Sequence, residues 1–235
     1  MTTLDLLLFV ALPYAALVLF FTGTIVRYRK RPFTYSSLSS QFLENRHHFW
    51  AQVPFHFGIL VVLAGHVVAF LIPRAVLAWN GVPWRLYVLE ATALAFAILA
   101  LVGLANIVLR RLRDPRARVT TSPTDWVVYG LLVVQVGSGL WTAVVHPWGS
   151  SWFATSVSPW LWSLATLSPD ATWVAPLPLS LKVHAVGLWA ILAIFPFTRL
   201  VHVLVVPNPY LWRRPQVVRW YGIRRTSGPA AWRGP

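Results

Sequence analysis

Residues 54–73 read PFHFGILVVLAGHVVAFLIP. A run of about 20 apolar residues is long enough to cross the hydrocarbon of a bilayer as a helix. Yet this run carries two histidines, His56 and His66. An imidazole there needs a partner, because an unsatisfied polar group in lipid costs several kcal/mol. An ionisable residue within a span is therefore a functional candidate once its partner can be named. The partner stretch lies far along the chain, at residues 176–206, PLPLSLKVHAVGLWAILAIFPFTRLVHVLVV, which holds His184 and His202.

Composition sets the class. The chain has 235 residues, is 57% hydrophobic and 11% charged, and has a mean hydropathy of +0.62. These values describe a polytopic membrane protein, with room for five or six helices and short loops. There are no cysteines. That excludes disulfides, thiolate metal sites, iron–sulfur clusters held by this chain and covalent CxxCH haem attachment. Any haem is then held non-covalently.

The net charge of +14 resembles a nucleic-acid signature, but its placement argues against nucleic acid. Sixteen of the 20 Lys and Arg residues fall within 27–46, 110–118 and 213–233. These are alternate loops of a five-helix reading. The other two loops hold only Arg74 and Arg85, and Lys182 stands just inside the last span. Such asymmetry is an orientation signal, placing the N-terminus outside and the C-terminus in the cytoplasm, with lipid as the partner of the charge.

The expected spans run from Leu4 to Val26, Pro54 to Pro73, Leu86 to Leu109 and Trp126 to Val145, with the fifth in 176–206. The fold class is an all-α membrane bundle of five helices over residues 1–206, with a basic cytoplasmic tail at 207–235. The first span has its charges after it, so it reads as an uncleaved helix, bent at Pro13. The polar loop before the second span carries His47 and His48, which read as solvated. Glu90, near the outer end of the third span, reads as an interfacial carboxylate, with pairing to Arg85 or proton handling as the alternatives. Ser122-Pro123-Thr124-Asp125 is a helix-start signal, and Gln135, Gly137 and Gly139 mark a face of the fourth span packed on protein. Residues 147–180 contain five Pro, five Trp and no basic residue. Within them SPWLWSLATL reads as a short helix in the interface with its indoles at headgroup level. His146 reads as facing water.

Antiparallel order gives depth to the four membrane histidines. The second span runs outward and the fifth inward, so His66 meets His184 in an outer pair and His56 meets His202 in an inner pair. His184 and His202 are 18 residues apart, which is five turns of an ideal helix, so both imidazoles leave one face. His56 and His66 are ten residues apart, about 15 Å along the axis and roughly 80° around it. The unequal gaps mean that the two helices are not simply parallel to the direction in which the sites stack. Two histidines on each of two spans, at matched depths, point to two bis-histidine haems. Bis-histidine ligation leaves no open iron position and suits electron transfer. A proton relay and plain helix–helix hydrogen bonding are the competing readings. A bare zinc or copper site would gather its ligands around one ion, not spread them over two levels. Gly58 and Gly65 beside the histidines would admit a flat macrocycle or let helices pack closely.

Taken together, SSQFL in the first inner loop, FHFGILVVLAGH, RRLRDPRARVTT and FPFTRLVHVLVVPNPYL resemble the gamma subunit of the membrane-bound respiratory nitrate reductase, over nearly the whole length. The resemblance implies a quinol-oxidising cytochrome b anchor in the plasma membrane of a prokaryote. It implies haem b ligation by His66 and His184 at the outer site and by His56 and His202 at the inner one. Quinol, menaquinol or ubiquinol, would bind beside Gly65 and His66. The family has a lysine at the outer end of the third span; Arg85 is the nearest basic residue here, and the two side chains differ in geometry and acidity. Arg111 and Arg199 would face the propionates of the inner haem, although snorkelling to headgroups explains both as well.

The same resemblance implies electron flow inward to an iron–sulfur beta subunit and a molybdenum-containing alpha subunit that reduces nitrate, both on the cytoplasmic side. The tail from Pro207 reads as a docking strip for the beta subunit or as a basic lipid anchor, with a disordered end. Two other readings stand beside this one. One is a related dihaem anchor of a sulfur-metabolising or heterodisulfide-type complex. The other is a proton-relay transporter, opposed by the lack of an inverted repeat, of broken spans and of midplane carboxylates.

Overall fold

The computed structural model describes residues 2–30 and 46–205, without the side chains of 46–49, 116 and 205. The loop motif SSQFL and the tail 207–235, with its proposed docking strip, lie outside the described residues. Among the described residues there are helices and no strand. Five helices are long and apolar enough to cross a membrane. They are α1 (Thr3–Lys30), α2 (Arg46–Leu71), α4 (Pro83–Arg113), α6 (Pro123–Val145) and α8 (Leu179–Ile194). Between them lie α3 (Pro73–Asn80), α5 (Pro115–Val119) and α7, a helical run over 149–165.

The bundle has two unlike ends. Lys30, Arg110, Arg111 and Arg113 stand at the basic end, in the last turns of α1 and α4. The opposite end carries α3, α7 and the start of α8. Large apolar side chains such as Leu60, Val67, Val102 and Val134 are exposed, as they must be where the surrounding solvent is hydrocarbon.

Packing is closest between α2 and α4. A Cβ on Gly58 would lie 2.5 Å from the Ala100 backbone nitrogen, and one on Gly103 would lie 2.7 Å from Phe55 Cα. Of the two expectations for Gly58, close helix packing is therefore the one realised. Gly65 differs, since nothing lies within 4 Å of a Cβ built there.

Proline breaks account for much of the remaining architecture. Proline has no N–H, so it strands the carbonyl four residues before it. Pro13 strands Phe9, and a π turn at Leu7–Ala11 precedes the proline. The Phe9 carbonyl accepts from the Trp160 indole at 2.9 Å instead. Pro73 strands Ala69, whose carbonyl accepts from the Ser158 hydroxyl at 2.9 Å. At the same helix end, the Phe70 carbonyl accepts from the Trp162 indole at 2.9 Å. The segment SPWLW of α7 is thus a set of side-chain donors aimed at backbone freed elsewhere. This corrects the headgroup reading for one of its two indoles, that of Trp160, while Trp162 stays exposed. Trp160 is 1% exposed and packs against Phe9 and Trp189 in the main core cluster, because the stranded carbonyl is inside the bundle.

Three other expectations change. The outer loop after Pro73 is helical as α3, with Pro73 in the first turn, where its missing N–H costs nothing. The third span extends from Pro83 to Arg113, beyond the expected Leu86–Leu109. The fifth span is not one ideal helix. It ends at Ile194, turns through a 3₁₀ stretch at Phe195–Phe197, passes through extended Thr198 and resumes as a 3₁₀ helix at Arg199–Val205. Pro196 is the cause, since it cannot donate to the Leu192 carbonyl, which takes the Phe195 N–H. The five-turn argument for His184 and His202 therefore fails, as does the expected absence of broken spans.

Replacing Gly103 by Leu is expected to lower the thermal unfolding midpoint in detergent, at a cost of about 1–3 kcal/mol or more. A Gly130→Ala control, with nothing within 4 Å of its Cβ position, should leave the midpoint unchanged or slightly raised. Equal midpoints for Gly103→Leu and wild type would refute the close α2–α4 contact.

Candidate functional site

Between α2 and the fifth span, which is α8 with the 3₁₀ segment that follows its break, the four membrane histidines come together in two pairs. The rings of His66 and His184 have centroids 6.2 Å apart with planes 36° apart. The rings of His56 and His202 are also 6.2 Å apart, with planes 68° apart. Yet α2 and α8 share no extended packing seam. The first lies along α4, and the second along α6 and α1. The imidazoles thus face one another across a gap that backbone does not fill.

Each ring is held by its Nδ1 atom. His56 Nδ1 donates to the Gln52 carbonyl and His66 Nδ1 to the Val62 carbonyl, both at 2.8 Å and both four residues back on α2. His202 Nδ1 donates to the Arg199 carbonyl at 2.8 Å. His184 Nδ1 donates across to α6, to the Gln135 carbonyl at 2.9 Å. A carbonyl can only accept, so the proton sits on Nδ1 in every case and Nε2 carries the lone pair. That tautomer, fixed by a backbone carbonyl, is the one a metal-ligating histidine needs.

The residues present therefore fit a group that takes one ligand from each side. The equal 6.2 Å separation of the ring centroids in the two pairs is what a group held by one imidazole from each side would require. Among the described residues no group of three or more His, Cys, Asp or Glu side chains gathers for a metal ion. The ligand-type residues come in pairs.

The α6 seat for His184 was only half legible in the sequence. The sequence offers Gln135 and Gly139 as a packing face, with nothing local to show them as the floor of this ring. A Cβ on Gly139 would sit 2.6 Å from His184 Cε1, so only glycine lets the imidazole lie flat there. The Ser138 hydroxyl is 3.3 Å from His184 Nδ1. The Gln135 amide nitrogen is 3.4 Å from Nε2, longer than an ordinary hydrogen bond. Its Oε1 is buried without a partner. A glutamine inside an apolar span was the signal available. Gly137, by contrast, faces open space.

Other candidates fall into place around these pairs. Phe153 stands edge-on to His66, with centroids 5.3 Å apart. The Arg85 guanidinium lies 5.1 Å from the Trp79 ring centroid and 5.6 Å from that of Trp84. Glu90 takes two donors from Ser150, its N–H at 2.8 Å and its hydroxyl at 2.7 Å, a partner no local sequence pattern indicated. His146 is half-buried at the C-terminal cap of α6, and its carbonyl receives the Trp152 indole. The backbone of His47 and His48 forms part of the first turn of α2.

At the basic end, Arg111 Nη1 donates to the Ala117 carbonyl at 2.9 Å and to the hydroxyls of Thr120 and Thr121 at 3.1 Å. Arg199 pairs with Asp125 at 3.2 Å and donates to the Thr120 carbonyl at 3.0 Å. Both arginines brace the turn that joins α5 to α6.

Comparison with known proteins agrees with this architecture along the chain. A family model described as "Nitrate reductase gamma subunit" matches residues 5–221. The nitrate reductase gamma chain of Bacillus subtilis (strain 168) is 35% identical over 211 residues, covering 88% of this chain and 95% of its own length. The respiratory nitrate reductase 1 gamma chain of Escherichia coli (strain K12) is 31% identical over 224 residues, covering 93% and 99%. The respiratory nitrate reductase 2 gamma chain of the same strain is 33% identical over 214 residues, covering 88% and 93%. Five membrane-crossing helices and these matches lead to one assignment: the chain belongs to the nitrate reductase gamma subunit family and is a multi-pass membrane subunit of nitrate reductase.

Proposed function

We propose that this subunit oxidises quinol at the end of the bundle opposite the basic one and delivers the electrons across the membrane to its partners. His66 with His184, and His56 with His202, would each hold one non-covalent haem b. The observation that carries the reading is the shared geometry of the two pairs, with 6.2 Å between rings and every Nδ1 tied to a backbone carbonyl. When bound, such a group would supply a one-electron centre suited to electron transfer.

The protein's own part is to hold and orient. Gly139, Ser138 and the Gln135 carbonyl keep the His184 ring in one plane. Gly65 leaves space beside His66 for a quinol head, and Arg85, at the same end of the bundle, is the cationic donor for a quinol oxygen. Menaquinol and ubiquinol both suit this chemistry. Protons released there leave on the outer face, and the basic end faces the cytoplasm of a prokaryotic plasma membrane. An iron–sulfur beta subunit on that side would receive the electrons and feed a molybdenum alpha subunit that reduces nitrate. Moving negative charge inward works against the membrane potential at about 2.3 kcal/mol per charge per 100 mV, so the step conserves energy.

A reduced-minus-oxidised spectrum with haem quantitation tests the ligand scheme. Wild type should hold two b haems per chain. His66→Ala and His184→Ala should each lose the same one, and His56→Ala and His202→Ala the other. A folded wild-type protein without haem would overturn the scheme and put the proton-relay reading first. Gly139→Val should behave as His66→Ala does, losing that one centre and at least about tenfold of quinol oxidation by the assembled complex. Nitrate reduction driven by a soluble donor to the catalytic subunit should persist in that variant. Retention of both haems with unaltered quinol oxidation would show that the His184 seat does not matter.

A further inference from the structure

The two ligand pairs are built in different ways, and the difference exposes a positioning device. His56, His66 and His184 stand on regular helix. His202 stands beyond the break in the fifth span, on a 3₁₀ segment that helix continuity cannot place. Its ring is hydrogen-bonded to the Arg199 carbonyl, so its position follows that of Arg199. The Arg199 side chain is fastened in turn to α6 through Asp125 and to the turn before α6 through the Thr120 carbonyl.

Asp125 divides its carboxylate between two tasks. Oδ2 accepts the Ser122 N–H at 2.9 Å in the capping box of α6, and Oδ1 faces Arg199. The group is 7% exposed, so its charge interacts through protein more than through water. The break itself is secured from α1. Arg27 Nη1 donates to the Pro196 carbonyl at 2.5 Å and to the Thr198 carbonyl at 3.0 Å. Thr198 in turn accepts the Leu200 N–H at 3.2 Å on its hydroxyl, as an N-cap does.

We propose that Asp125 and Arg199, with Arg27, are positioning residues for His202: a cross-brace from α6 and α1 that sets the ligand segment 199–205 where the helix no longer can. The proposal rests on the assignment of His202 as an axial ligand and deepens it. It gives Arg199 a role that requires no propionate, and it gives the aspartate of the capping box a second task. The His66–His184 pair has no such dependence, because both residues are placed by unbroken helix.

Asp125→Asn is the informative variant. An amide can still accept from the Ser122 N–H, but it must then turn its NH₂ towards the Arg199 N–H donors, so the cap survives and the brace does not. Ser122→Ala is the converse, since it removes the hydroxyl that accepts the Asp125 N–H at 3.2 Å and leaves the ion pair. Two readouts are taken on the full-length chain in detergent: amide hydrogen exchange over 199–205 against 179–194, and the low-spin spectrum of each haem.

In Asp125→Asn, exchange over 199–205 should accelerate about tenfold or more, as expected when a half-buried ion pair loses one charge. Exchange over 179–194 should not change. The signal lost in His202→Ala should shift or vanish, and the signal lost in His66→Ala should stay. Asp125→Glu, which restores the charge, should recover part of both effects. Unchanged exchange over 199–205 in Asp125→Asn would overturn the brace, and so would the same spectral shift in Ser122→Ala. A folded wild type without haem would overturn the ligand reading, and the exchange measurement would still decide the brace.

Discussion

A carbonyl without a donor cannot be left in hydrocarbon, and the arrangement of this bundle follows from where prolines create such carbonyls. Pro13 and Pro73 release backbone acceptors on α1 and α2, and α7 supplies the donors through Trp160 and Ser158. One short segment thereby ties together two spans distant from it in sequence. Pro196 interrupts the fifth span, and the carbonyls at that break are taken by Arg27 from the first. Each break costs intrahelical bonds and returns a specific contact between elements, so the prolines specify tertiary neighbours as well as bends.

The histidine pairs occupy an interface that is not closed by helix packing. Glycines at Gly58 and Gly103 let α2 and α4 approach until backbone nearly meets backbone. The helix α2 and the broken fifth span stay apart, bridged by imidazoles. Glycine therefore plays three roles here. At Gly58 and Gly103 it permits contact, at Gly139 it provides a floor for a ring, and at Gly65 it leaves open space. The carbonyl bonds at all four Nδ1 atoms keep these side chains from wandering in the gap, and they leave the lone pair on Nε2.

The basic end shows how charge is handled where lipid gives way to water. Arg111 binds the turn that carries Thr120 and Thr121, Arg199 meets Asp125, and Arg27 serves the broken span. Charges that the sequence offers as an orientation signal are thus also spent on structure. At the other end the two acidic groups on spans have different partners. Lys182 lies 3.9 Å from Asp5, and Glu90 takes the N–H and hydroxyl of Ser150.

Hydropathy and charge placement were enough to establish five spans and the all-helical class, because both depend on local composition. The pairing order of the histidines was also legible, since antiparallel order fixes depth. The capping box at Ser122 and Asp125 was readable for the same local reason. The break at Pro196, the donor role of SPWLW, the seat of His184 on Gly139 and the second partner of Asp125 were decided only by tertiary structure. In each of these, a group freed or exposed on one helix is satisfied by a side chain more than 40 residues away. No local pattern encodes which donor reaches which acceptor, because that choice is made by how the spans lean against one another.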